Sequence, residues 1–380
     1  MTLRYWTAGE SHGKTLLALL DGFPAGVEIN TDLIDVELKR RQGGYGRGGR
    51  QRIETDTVEL LTGVWKNVTL GSPLALQVVN KDYKLERLGD LQRPRPGHGD
   101  LTGAIKFLGP IRGVLERASA RETTVRVAAG AVARQLLARF GIRVIGYVVE
   151  LGGIRLDPPD LPIEERYRLR DASEVYSLVP SRDAEVKALI DEMGRAGDTL
   201  GGVVETRVEG LPFGLGTHAQ WDLKLDGRLA QAVMAIQAIK GVEIGMGFEA
   251  ARRPGSQVHD PIIFDEAKRD TPTLGYERPS NNAGGLEAGM TNGQPLVVRA
   301  AKKPISTLAK KLPSVNMETK QAEAADYERS DVCAVPAASV IVENVVAFEM
   351  ARALIEKFGG DSLAEMLARF DLFQKMARER

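Results

Sequence analysis

Two segments decide how this chain folds: Ser119–Phe140, SARETTVRVAAGAVARQLLARF, and Ala337–Phe358, AASVIVENVVAFEMARALIEKF. Both are rich in Ala and Val and both close on Phe-Gly, so each reads as a long helix with a defined stop. Their entries are related too, Arg117-Ala118-Ser119 in one and Arg329-Ser330-Asp331 in the other, which suggests two halves built on one plan. Working outward, a third helix is expected from Asp226 to Lys240, and a fourth from Thr31 to Arg41 with Thr31 as its N-cap. A peripheral amphipathic helix is expected from Ser362 onward. Around them lie short β-rich stretches bounded by Gly or Pro: VIGYVVEL, GGVVETRVEGLP, GVEIGMGFEA and PLVVRAA. The pattern is α/β or α+β, with helices covered by sheet.

Composition bounds the rest. The 380 residues carry 51 Lys+Arg and 51 Asp+Glu, so no field of one sign draws in nucleic acid or a membrane surface. The single cysteine, Cys333, excludes an internal disulfide framework and suits a reducing cytoplasm. Neither a signal segment near Met1–Glu10 nor a long apolar run is seen, so a cytoplasmic protein is expected. Glycine is in excess, 41 residues, and clusters between apolar segments, which means tight turns and close backbone approaches. No linker divides the chain; Asp157–Asp198 reads as a helical surface insertion, and residues 1–380 as a single domain.

Ala8-Gly9-Glu10-Ser11-His12-Gly13-Lys14-Thr15 supports two competing readings. Gly9–Gly13 fits the G-x-S-x-G of a serine hydrolase, but too little chain precedes it to supply the other strands. The same residues nearly spell the phosphate loop of a nucleotide hydrolase, with Ile262–Glu266 as an imitation of the acidic metal-binding strand. Against this, the following helix would run only from Thr15 to Leu20, and Leu3–Thr7 is too polar for a buried central strand.

Lys39–Arg52 holds six cations and no acid among glycines. Glycines admit a ligand close to the backbone while arginines offer planar forks to phosphate or carboxylate, so a small multiply charged anion is the natural guest. A solvated basic loop or an RNA-binding segment is the alternative. Further on, Arg93–Asp100 presents His98 between glycines, and Ser280–Gly285, Met290–Gln294 and Lys302–Thr307 supply amide, hydroxyl and ammonium donors, a mixture suited to a polar cofactor carrying its own phosphate. Asp331 reads as an N-cap. His218 and His259 have no partners at metal-ligand spacing, and no zinc site is readable.

Taken together, these segments resemble the chorismate synthase family. The resemblance is carried in order by Thr7–Gly13, Arg40–Arg50, Arg95-Pro96-Gly97-His98, Ala120–Thr123, Gly201–Glu205, Asn281-Asn282, Asn292-Gly293-Gln294 and Arg329-Ser330-Asp331. It implies an α+β fold of the β-α-β sandwich type, helices layered between antiparallel sheets, assembled as a homotetramer. The implied reaction is a 1,4-anti elimination of phosphate from 5-enolpyruvylshikimate 3-phosphate, giving chorismate. It requires reduced FMN without net oxidation.

By the same resemblance, His12 lies beside the leaving phosphate, His98 beside the flavin, and Asp331 matches the aspartate that takes a proton by way of the flavin. Ser11, Arg41, Arg47, Arg50, Arg121 and Arg329 would hold the substrate. Flavin contacts would come from Arg117, Ala118, Ser119, Gln237, Ala238, Ala288, Lys303, Pro304, Ile305, Ser306, Thr307 and Arg329. Three of these depart from common family usage: Ala118 stands for serine, Gln237 for asparagine and Ala288 for glycine. No dinucleotide fold is visible, so the expectation is dependence on reduced flavin made elsewhere, by a separate flavin reductase, with NADPH acting only indirectly.

Overall fold

The computed structural model describes residues 2–48, 55–328 and 331–380. Arg50 and Arg329, both expected at the site, lie outside them. The chain opens with an antiparallel hairpin, β1 (Arg4–Ala8) and β2 (Thr15–Asp21), followed by α1 (Thr31–Gln42), β3 (Glu59–Thr62) and β4 (Leu74–Val79). These strands make an antiparallel sheet in the order β1-β2-β4-β3. Period-2 alternation in β2 turns Leu16, Ala18 and Leu20 inward and leaves Leu17 and Leu19 outside.

Next come α2 (Asp100–Phe107), α3 (Ile111–Ala118) and α4 (Thr123–Ala138). They lead into β5 (Arg143–Leu151) and β6 (Ile154–Arg155), then α5 (Ile163–Ala172) and α6 (Asp183–Arg195). A second antiparallel sheet is completed by β7 (Gly202–Glu209), β8 (Ile239–Ile244) and β9 (Leu296–Lys302), in the order β8-β9-β7-β5-β6, with α7 (Leu225–Met234) between β7 and β8 in the chain. The helices α8 (Val335–Phe358) and α9 (Leu363–Ala377) close the chain.

The two long helices meet each other: α4 packs on β2 and β4 with one face and on α8 with another, while α8 packs on β5 and β7. Being enclosed on all sides explains why almost every residue of α8 is buried, and why its apolar residues cover the whole circumference. The helices approach closely at Gly130, where an added Cβ would stand 2.2 Å from the Asn344 carbonyl oxygen. One hydrophobic cluster runs from Leu3 in the first sheet through both helices to Met366 in α9.

Several local expectations change. Helical structure before Phe140 is broken at Ser119, whose hydroxyl accepts from Arg121 N–H at 3.3 Å and so separates α3 from the turn leading into α4. The helix expected over Asp226–Lys240 stops at Met234, because Ala238 turns at φ +69° and Ile239 enters a strand. Asn30, not Thr31, caps α1, accepting from Asp32 N–H at 2.9 Å. Asp331 does not cap α8, which begins at Val335. Thr15–Leu20 is strand, so the N-terminal segment is a hairpin turn; neither a phosphate loop nor a nucleophile elbow is built there. Arg4–Thr7 belongs to the edge strand, which explains its polarity. Ile263-Phe264 is an exposed two-residue strand, and Asp265 beside it caps a short turn.

Candidate active site

A cavity of about 600 Å³ opens where the β1–β2 turn, the loop after α1, the segment before α2, the start of α4, the end of β9 and the start of α8 converge. Lining it are eight cationic side chains, Arg41, Arg47, Lys84, Arg95, Arg121, Lys240, Lys302 and Lys303. Among the described residues that line it, Asp82, Glu328 and Asp331 are acidic, and Asp56, Asp100 and Glu116 pair with lining groups from behind. The site therefore carries an excess of positive charge although the whole chain has none.

The β1–β2 turn presents Ser11 and His12. Asn80, just after β4, pins this turn by donating to the carbonyls of Glu10 and Gly13 at 3.2 and 2.8 Å, and its own carbonyl accepts from Arg121 Nε at 2.9 Å. Arg121 is also gripped by Asp56, at 2.7 Å to each carboxylate oxygen. His12 Nδ1 lies 3.0 Å from the buried Glu116 carboxylate, which also accepts the His12 backbone N–H at 2.8 Å; its Nε2 lies 3.8 Å from Asp82. Burial raises the pKa of the Glu116 carboxyl, but the ring and backbone of His12, with Arg112, outweigh it and hold the group below the usual range.

His98 repeats the arrangement. Its Nδ1 is 2.5 Å from Asp100, a fully buried carboxylate that also accepts from Arg95 Nε and Nη2 at 2.8 and 3.0 Å. Burial opposes ionisation of Asp100, yet the bonds from His98 and Arg95 hold it well below the carboxylate range. Arg95 reaches on to Thr307 Oγ1 at 3.0 Å. In both places a carboxylate holds Nδ1 and so fixes the orientation of the ring.

The loop after α1 carries Arg47 into the cavity, where Nη1 pairs with Asp331 at 2.7 Å while the Gly48 N–H donates to the other Asp331 oxygen at 2.7 Å. This path exists because Gly46 adopts φ +90° and passes so near Cys333 that a Cβ would stand 2.9 Å from the Cys333 Cβ. Cys333 is thus a buried packing residue under the loop. Arg41 donates to the Ala120 carbonyl at 2.9 Å and Thr123 Oγ1 at 3.0 Å, with Asp56 only at 3.7 Å. Burial, reinforced by Arg121 and Arg47 against the pull of Asp56, pushes its guanidinium down to about 9. A larger groove of about 1110 Å³ lies across this loop, lined by Tyr45, Glu174, Asp191 and Arg195. Its charges are of mixed sign, with Tyr45 donating to Asp191 at 2.9 Å.

The family model for chorismate synthase matches residues 3–355. The chain belongs to the chorismate synthase family.

Chorismate synthase of Geobacter metallireducens is 56% identical over 383 residues, covering 97% of this chain and 98% of that protein. That of Bacillus cytotoxicus is 50% identical over 395 residues, covering 99% and 100%. A crystal structure of chorismate synthase matches with a TM-score of 0.81 and 42% identity, covering 100% of this chain and 99% of that one. Membership in the chorismate synthase family makes the chain a lyase of the shikimate route to aromatic compounds, and nothing supports a nucleotide hydrolase.

Of the residues expected from the chorismate synthase resemblance, the cavity brings together Ser11, His12, Arg41, Arg47, His98, Ala118, Ser119, Arg121, Gln237, Ala238, Lys303, Pro304, Ile305, Ser306, Thr307 and Asp331. Two expected flavin contacts stand elsewhere. Arg117 points back to the first strand, donating to the carbonyls of Thr7 and Gly9 at 2.8 and 2.9 Å. Ala288 sits exposed in a hairpin turn at φ +51°. Sequence reasoning passed over Glu116, Asp56 and Asn80, gave Asp100 no role, and counted Lys302 only among the donors of Lys302–Thr307. The available signal was weak: Asp100 follows His98 by two residues, whereas Glu116 and Asp56 reach the site only through contacts distant in the chain.

Proposed function

We propose that this cavity binds reduced FMN together with 5-enolpyruvylshikimate 3-phosphate and eliminates phosphate to release chorismate. The observation that carries the reading is the excess of cationic side chains lining the cavity around two carboxylate-held histidines. A guest with a phosphate and two carboxylates bears about three to four negative charges, and only such a ring compensates its desolvation.

The residues present fit a flavin. Gln237 Oε1 is buried without a hydrogen-bond partner, so the wall offers an unused acceptor, and Leu115, Ala118, Ile236 and Ile341 add apolar surface beside Ser119, Ser306 and Thr307. Gln237, Ala238 and Lys303–Thr307 would hold it. When bound, the reduced flavin supplies electron density as the allylic C–O bond breaks and recovers it when the ring hydrogen departs.

The chain's own groups do the rest. Arg41, Arg47 and Arg121 orient the anionic substrate, with Arg50 and Arg329 expected beside them. His12 offers Nε2 to the leaving phosphate as an acid, while Glu116 keeps its ring in one orientation. His98, oriented by Asp100, does the same at the flavin. Asp331 is the carboxylate assigned to proton acceptance; Arg47 fixes its direction.

We also read the two sheets around α4 and α8 as a β-α-β sandwich with a pseudo-repeat, forming a single catalytic domain. Assembly as a homotetramer is supported by the outward face of the first sheet, where Trp6, Leu17, Leu19 and Val79 are exposed. Cytoplasmic location fits the absence, among the described residues, of any helix long and apolar enough to cross a membrane. Reduced flavin would be supplied by a separate reductase.

The decisive experiment is anaerobic phosphate release from 5-enolpyruvylshikimate 3-phosphate with dithionite-reduced FMN, beside an oxidised-FMN control. Release dependent on reduced flavin, with chorismate in equal amount, is the expected result; no release from folded, flavin-bound protein rejects it.

A further inference from the structure

Three arginines of the cavity have carboxylate partners within the protein, Arg121 with Asp56, Arg95 with Asp100 and Arg47 with Asp331, and Arg41 has two neutral acceptors, the Ala120 carbonyl and Thr123 Oγ1. Lys302 is different. It ends β9 with its side chain in the cavity wall and is only 8% exposed. Its Nζ donates one hydrogen bond, to the Lys303 carbonyl at 3.1 Å, although an ammonium carries three donors. Among the described residues no carboxylate forms an ion pair with it.

The groups around Nζ sharpen the point. Among the described residues, Arg47 and Lys303 face it as cations, Cys333 as a thiol and Asp331 as a carboxylate already bound to Arg47 and the Gly48 N–H. A desolvated cation is expensive unless paired, so its retention at a cavity wall calls for an anion from outside the protein.

We infer that Lys302 receives an anionic group of the bound ligand and that binding is accompanied by proton uptake at its Nζ. The inference rests on the flavin-and-substrate reading for the identity of that ligand. It adds to the cavity a residue that the resemblance did not assign. Burial, helped by Arg47 and Lys303 and opposed by Cys333 and Asp331, pushes the free ammonium down to about 8. An arriving anion would restore the proton, so the uptake grows as pH rises through about 8.

Titration calorimetry in buffers of different ionisation enthalpy tests this on full-length wild-type, Lys302→Met and Lys302→Arg proteins, each first shown to be folded by circular dichroism and thermal melting. The titrants are oxidised FMN, reduced FMN, 5-enolpyruvylshikimate 3-phosphate and inorganic phosphate, which separate the flavin ring, the flavin phosphate and the substrate as the source of the anion. For at least one titrant, wild type takes up more protons as pH rises, Lys302→Met loses that increment and at least about tenfold in affinity, and Lys302→Arg, always charged, keeps affinity without the uptake. Equal proton uptake and equal affinity in wild type and Lys302→Met for every titrant overturns the assignment. If wild type binds neither FMN nor 5-enolpyruvylshikimate 3-phosphate, the flavin-and-substrate reading fails by itself, and inorganic phosphate alone decides Lys302: loss of binding in Lys302→Met keeps it, unchanged or absent phosphate binding removes it.

Discussion

Arg40 and Arg41 are neighbours in the chain, both largely withdrawn from solvent, yet their electrostatic surroundings are opposite. Arg40 spans two carboxylates, with Nη1 at 2.8 Å from each Glu37 oxygen and Nη2 at 2.8 Å from Glu343. Arg134 and Arg170 join the same carboxylates, tying α1, α4, α5 and α8 together behind the cavity. Burial disfavours the Arg40 charge, but Glu343 and Glu37 more than offset it and drive its pKa up. Arg41 faces the cavity, takes two neutral acceptors and stands 3.7 Å from a carboxylate that Arg121 already occupies. The contrast separates the two neighbours: Arg40, whose carboxylates are supplied by the protein, ties helices together, whereas Arg41, short of them, keeps its charge for a ligand.

The hardest way to break this contrast is to remove a carboxylate from the scaffold cluster. Glu343→Ala takes a shared buried carboxylate from Arg40, Arg134 and Arg170 and leaves excess positive charge in the interior, and urea unfolding should show a loss of about 3–5 kcal/mol. At the site, His12→Ala and His98→Ala should each lower turnover at least about 100-fold, equivalent to about 2.7 kcal/mol, while unfolding free energy changes far less. Turnover within a few-fold of wild type would remove that histidine from the mechanism. Glu116→Gln, which removes the carboxylate held at His12 Nδ1, should cost at least about tenfold in kcat, with KM moving little.

Arg41→Met sharpens the comparison from the other side. Its folded pKa lies below the unfolded one, so its charge is a burden on the folded state at neutral pH, relieved only as pH rises past about 9. Stability should therefore fall by less than about 1.5 kcal/mol, while substrate affinity drops at least about tenfold. The smallest effect concerns acid. Although burial opposes ionisation, Arg134, Arg40 and Asn344 bring Glu37 down to about 2. A depressed carboxylate stabilises the fold above its unfolded pKa of about 4.3 and loses that contribution as pH falls toward about 2. The difference in melting temperature between wild type and Glu37→Gln should shrink from pH 5 to pH 3; a constant difference would detach Glu37 from the acid response.

Much of the site could be read before folding was considered. Ser11, His12, Arg41, Arg47, His98 and Arg121 stand in short glycine- or arginine-rich strings, and the cavity gathers all of them. Glu116 and Asp56 were not legible, because each resembles an ordinary surface acid until a residue far along the chain meets it. Element ends failed for similar reasons: the expectation of one helix over Asp226–Lys240 follows local propensity, whereas pairing of Ile239 with Lys302 draws that end into the sheet.

By itself, the sequence determined several of the elements and which chemistry is on offer: two buried Ala/Val helices, strands between turns, and histidine and arginine donors on glycine-rich loops. Hydrophobic periodicity and turn chemistry act over a few residues, so they can be read locally. Only the tertiary structure decided which arginine is satisfied and which is left for a ligand. Arg40 and Glu343 are 303 positions apart, and Arg121 and Asp56 are 65 apart. Coulombic pairing depends on distance in space and on burial, neither of which local sequence contains.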